Sequence, residues 1–117
     1  MVTEPCRPVN IHQAYHAHIY FDAETVGYVE QLAEDIARLF SLKVGRIHQR
    51  LVGPHTRWSV QILFSTKDFD RFIPWLDEHR QGLSVLVHAQ SEDAIRDHTE
   101  HAYWLGDSCA IDLDGLK

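Results

Sequence analysis

Cysteine, methionine and basic side chains are all in short supply in this chain, and each shortage closes off a class of function. There are two cysteines, Cys6 and Cys109, too far apart for a CxxC redox pair or a zinc ribbon, so free thiols in a reducing compartment are expected. Lysine and arginine together number 11 against 17 Asp plus Glu, a net charge of −6. Nucleic-acid binders gain most of their affinity from cations set against phosphates, so no nucleic-acid partner is expected. No apolar run approaches the roughly 18 residues that cross a bilayer, and MVTEPCRPVN lacks the apolar centre of a signal peptide. A cytoplasmic protein with no membrane partner is expected. Neither a Gly-rich phosphate loop nor a Ser/His/Asp set is present to support phosphoryl or acyl transfer.

Histidine, by contrast, occurs nine times in 117 residues. The remaining composition, 44% hydrophobic and 24% charged, is that of a soluble globular domain. Residues 1–13, with Pro5 and Pro8, read as an N-terminal tail, and residues 14–117 as a single domain.

Periodicity gives the elements. AYHAHIYF, residues 14–21, alternates as a strand with Tyr15, Ala17, Ile19 and Phe21 on one face and His16, His18 and Tyr20 on the other. Residues 24–42 carry an apolar stripe at helical spacing, with Asp22 as N-cap. GRIHQRLV reads as a second strand, with Ile47 and Leu51 turned inward and Arg46, His48 and Arg50 outward. RWSVQILF is a third, with Trp58, Val60, Ile62 and Phe64 inward. A second helix falls within residues 67–80, where Pro74 implies a kink or a later start, and Gly82 stops it. LSVLVH, residues 83–88, is the fourth strand. A short helix around residues 92–103 and an edge strand in CAIDLDGLK complete the chain. The order strand, helix, strand, strand, helix, strand predicts an α+β, ferredoxin-like βαββαβ sandwich, an antiparallel sheet with both helices on one face.

The sheet face away from the helices then holds four histidines, three arginines and no acid, an electropositive surface that favours an anionic ligand. In this topology the first strand is central and lies beside the fourth, which brings His16 close to His88. Two histidines at i and i+2, joined by a third from the next strand, can hold one metal ion. His12, His79 and His101 read as surface histidines. His98 and His101, three apart, read either as a chelating pair or as part of a solvated helix surface.

Four ordered motifs resemble the DOPA 4,5-dioxygenase family: YHAHIYF at 15–21, GPH at 53–55, W-L-x-x-x-R-x-G-L-S-V-L-V-H from Trp75 to His88, and D-H-T-x-x-A-x-W-L-G from Asp97 to Gly106. Two loops depart from the family pattern: Ala89-Gln90-Ser91-Glu92 follows His88 where the family tends to read P-x-T-G, and Thr56 follows GPH in place of proline. The resemblance implies a small ferredoxin-like protein that cleaves a catechol ring with O2, with His16, His18, His55, His88 and His98 at its site. The chemistry expected of such an enzyme assigns Fe(II) to His16, His18 and His88, with zinc or another divalent metal as the substitute in a purified sample. Proton transfer falls to His55 or His98, and hydrogen bonding to the ring oxygens falls to Tyr20. Arg50 or Arg57 is expected to take a substrate carboxylate, with His48 shaping the pocket. The expected partners are a catechol such as DOPA, O2 and a second copy of the chain in a homodimer. A non-catalytic aromatic-acid-binding protein and a dimerising module of the same fold are the rival readings.

Overall fold

The computed structural model describes residues 6–116. The first five residues of the expected tail and Lys117 lie outside that range. The sheet is antiparallel throughout. Its elements in chain order are β1 (Ala14–Phe21), α1 (Val26–Phe40), β2 (Lys43–Val44), β3 (Trp58–Ser65), α2 (Thr66–His79), β4 (Val85–Ala89), α3 (Ala94–Asp97), β5 (Ala102–Leu105) and a closing 3-10 turn, Leu113–Leu116. Strand order is β2-β3-β1-β4-β5, the ferredoxin-like arrangement with one strand added outside β4.

The inward residues of β1, β3 and β4 interlock with the stripes of α1 and α2. Tyr15, Ala17, Ile19, Val60, Ile62, Val85 and Val87 meet Val29, Leu32, Ile36, Phe72 and Leu76 in one core, and β5 adds Tyr103 and Leu105. α2 begins with a reciprocal capping box, in which the Lys67 N–H donates to the Ser65 hydroxyl and the Ser65 N–H to the Asp68 carboxylate. It runs through Pro74 without ending there. Pro74 and Asp70 both lie on the exposed side, where water can satisfy the Asp70 carbonyl that proline leaves without a donor.

Several expectations change. Asp22 does not cap α1 directly. Its Oδ1 accepts from the Glu24 and Thr25 N–H groups, organising the turn before the helix, and Thr25 occupies the N-cap position. The second strand is cut to Lys43–Val44, and a bulge follows it. Gly45 N–H donates to the Gln61 carbonyl, yet His48 pairs with Ser59, so that Arg46 and Ile47 together face Val60. Simple alternation from the core-facing Val44 would have turned Arg46 inward. The extra residue leaves Arg46 exposed and brings Ile47 against the core. Leu51, expected in the core, is 64% exposed, because the chain has by then left the sheet. The helix expected over residues 92–103 is only Ala94–Asp97, since AYWL pairs with β4 as a strand. The edge strand is therefore β5. In place of the strand expected in CAIDLDGLK, residues 109–116 form a strap with one bridge, Ile111 to His55, and the closing 3-10 turn. Residues 6–13 have no regular structure but are tied down: Trp104 N–H donates to the Cys6 carbonyl at the outer edge of β5, and Arg7 pairs with Asp77.

Candidate metal centre

On the sheet face opposite the helices, β1 and β4 set His16 directly across from His88, and His18 follows one pleat along. Each of the three offers a ring nitrogen, and these atoms lie within 4.8 Å of one another. The His88 Nδ1–H donates to the Ala89 carbonyl at 2.7 Å, because a carbonyl can only accept. Nε2 of His88 therefore carries the lone pair and accepts from His18 Nε2–H at 2.9 Å. His16 Nε2 is buried with no hydrogen-bond partner.

His55 and His98 join from opposite sides. The His55 ring lies 4.1 Å from that of His18, and its Nδ1 shares a 2.7 Å hydrogen bond with the Tyr20 hydroxyl. The His98 ring lies 4.0 Å from that of His88, and its Nδ1–H donates to the Ala94 carbonyl. The five histidines of the four motifs thus form one contiguous cluster. Burial is the main cause that lowers the basicity of His88 to about 3, of His55 to about 4, of His18 well below the usual range, and of His16 less far, with the Gln90 side chain pulling the other way. Burial likewise raises the Tyr20 phenol, so it stays protonated at any physiological pH.

The cluster lines a cavity of about 440 Å³. Val52, Gly53 and Pro54 of the loop before β3 also line it, as do Gln90 and Ser91 after β4, Asp97 of α3, and Leu116 of the closing turn. Asp97, 3% exposed, is the buried carboxylate nearest in sequence to the site, but its oxygens accept from Ser91 N–H and Ser91 Oγ, both at 2.7 Å. It orders the wall and stands outside the three-histidine group. The other expected site residues spread out. His48, bridged to Ser59, lines a smaller hollow adjoining the cavity. Arg50 and Arg57 are exposed and do not line the cavity, and Arg57 faces a separate hollow with Asp22 and Asp107. His12, read as a surface residue, bonds the Tyr103 hydroxyl through Nε2 at 2.8 Å, and its ring lies tilted 4.5 Å from that of His101. His98 and His101 therefore point to different neighbours.

The residues fit a divalent transition metal. Three imidazoles are the donor type such ions take, and the 2.9 Å separation of the His18 and His88 nitrogens is close to the about 3 Å between adjacent ligands on a metal with about 2.1 Å bonds. The unpartnered His16 Nε2 adds a third donor that the protein itself leaves unused.

The Dopa 4,5-dioxygenase family model matches residues 15–115. An uncharacterized 21.2 kDa protein of Botryotinia fuckeliana is 35% identical over 98% of this chain and 69% of its own. The DOPA 4,5-dioxygenase of Amanita muscaria is 27% identical over 87% of this chain, which spans about half of that protein, 49% of its length. A crystal structure from Nostoc punctiforme, described as a "putative dioxygenase", superimposes with a TM-score of 0.86 at 33% identity, covering 94% of this chain and 96% of that one. With nearly all of the described chain inside the family model and the five motif histidines gathered in one cavity, this protein belongs to the Dopa 4,5-dioxygenase family.

Proposed function

We propose that the protein is an extradiol dioxygenase that opens the ring of DOPA or a related catechol carboxylate with O2, using Fe(II) held by His16, His18 and His88. The observation that carries this reading is the convergence of three donor nitrogens, one of them unpartnered, in a cavity shared with two further histidines. The metal supplies open positions for the catecholate and O2 and acidifies the catechol hydroxyls. Both oxygen atoms of O2 enter the product as one ring C–C bond breaks, so no external reductant is needed.

His55 takes a catechol proton. Burial keeps its imidazole neutral, and Tyr20 fixes the ring through Nδ1. Tyr20, expected to bond the ring oxygens itself, does not line the cavity and acts instead by orienting His55. His98, its Nδ1–H held by the Ala94 carbonyl, leaves the Nε2 lone pair free to take the second catechol proton, which it can then give back to the ring-opened product. Metal binding requires His18 to move its proton from Nε2 to Nδ1, which frees the Nε2 lone pair. The apolar wall of Val52, Pro54 and Leu116 receives the ring and limits water.

Anaerobic loading with Fe(II), followed by DOPA and then oxygen, is expected to give a yellow ring-opened product with one O2 consumed per substrate. Neither colour nor oxygen uptake across several catechols would refute the reading.

A further inference from the structure

The cavity has a side lobe. A hollow of about 130 Å³ shares His18, Val52, His55 and Gln61 with the main space, and Gly45, Arg46, His48 and Ser59 line the part that is not shared. No acidic residue lines it. Arg46 is exposed and makes no ion pair or hydrogen bond among the described residues, whereas Arg7, Arg38, Arg80 and Arg96 are each paired with a carboxylate. Its place follows from the bulge, because the extra residue after Gly45 keeps Arg46 out of the core and on the wall of the lobe that His48 also lines. Arg50 lines neither space, and Arg57 lies only at a separate hollow with Asp22 and Asp107, whereas Arg46 lines the lobe as well as an outer groove that holds Glu30 and Glu34, with neither of which it forms an ion pair.

The geometry points to Arg46 as the residue that selects substrates bearing a carboxylate. The catechol ring occupies the main cavity against the histidines, and a short acid side chain extends into the lobe, where the Arg46 fork meets the carboxylate in a two-pronged, charge-assisted hydrogen bond. His48, Ser59 and Gln61 offer further polar contacts there. The inference rests on the ring-cleaving reading for the position of the ring, and it names the substrate class within it.

The test compares 3-(3,4-dihydroxyphenyl)propanoate with 4-methylcatechol, titrated calorimetrically into the Fe(II)-loaded protein without oxygen and then turned over with it. Arg46→Gln is expected to weaken the acid roughly ten- to a hundredfold while 4-methylcatechol stays within about twofold, and Arg46→Lys should recover part of the loss because it keeps the charge without the fork. The neutral catechol doubles as the check that the variant is folded. Equal weakening of both ligands, or an acid affinity untouched by Arg46→Gln, overturns the assignment. If the acid binds in an Arg46-dependent way but no ring-opened product follows, selection by Arg46 stands and the ring-cleaving reading falls.

Discussion

His16 Nε2 is the only buried side-chain nitrogen or oxygen among the described residues with no hydrogen-bond partner. An unsatisfied buried polar atom costs about 1–3 kcal/mol, so its presence beside His18 and His88 calls for a ligand rather than a packing explanation. The neighbouring imidazoles make the same site sensitive to acid. His88 and His55 are 3% and 7% exposed and are pushed down to about 3 and about 4, while in the unfolded chain each returns to about 6.5. Between those values the unfolded chain binds protons that the folded one refuses, so stability present above pH 6.5 is lost as pH falls toward 4 and 3. On the order of 2 kcal/mol per histidine is expected to disappear between pH 7 and 5. Urea titration of the metal-free protein at the two pH values checks this, and an unchanged midpoint would mean the rings are not held neutral. Metal loading of the folded protein should instead persist through this range and fall only at lower pH, since ligation needs the neutral ring and burial keeps His18 and His88 neutral well below 6.5.

At the scale of elements, the strands that carry the three proposed ligands were legible. The alternation in AYHAHIYF and LSVLVH, together with the topology, set His16 against His88 in the register observed. The bulge was not legible, because one added residue changes the period without changing composition, and GRIHQRLV still reads as an unbroken alternation. That is why Leu51 was expected inside, whereas Arg46, expected to face outward, does so. The strap was hidden for another reason, since its hold on the His55 loop is a matter of backbone. Asp112 N–H donates to the Pro54 carbonyl, Thr56 Oγ1 to the Ala110 carbonyl, and a Cβ on Gly115 would overlap the Gly53 carbonyl. Gly115→Ala is therefore expected to push strap and loop apart, costing about 1–3 kcal/mol and raising KM through the displaced loop. Gly27→Ala, in α1 with no heavy atom within 4 Å of the new methyl, should instead stabilise by about 0.5–1 kcal/mol. Thermal unfolding of the two variants, with steady-state kinetics on the first, separates these outcomes.

In the whole molecule, one sheet divides two kinds of interior. The helix side is an apolar core whose members on β1, β3, β4, α1 and α2 follow from periodicity, while Tyr103 and Leu105 reach it from a strand that the periodicity did not mark. The other side buries imidazoles, the Tyr20 phenol and the Asp97 carboxylate against a small cluster of Tyr20, Leu86 and Trp104. The sequence could mark that side as histidine-rich, but the pairing of Asp97 with Ser91 and the closure by Leu116 depend on contacts between segments with no periodic signal. A face built this way is stabilised less by apolar burial and more by what its donors bind, so a metal should act on the entire fold. His16 and His18 on β1 and His88 on β4 come from adjacent central strands, and an ion held by all three ties the middle of the sheet together. At a free metal concentration near 100 times its dissociation constant the gain is about 2.7 kcal/mol, which for a domain of this size raises Tm by about 10 °C. Differential scanning fluorimetry after chelation, and again after adding Fe(II) without oxygen or Zn(II), should show that rise in the native chain. His16→Gln removes the unpartnered donor, and its Tm should no longer respond to metal. A shift that survives this substitution would place the ion elsewhere in the molecule.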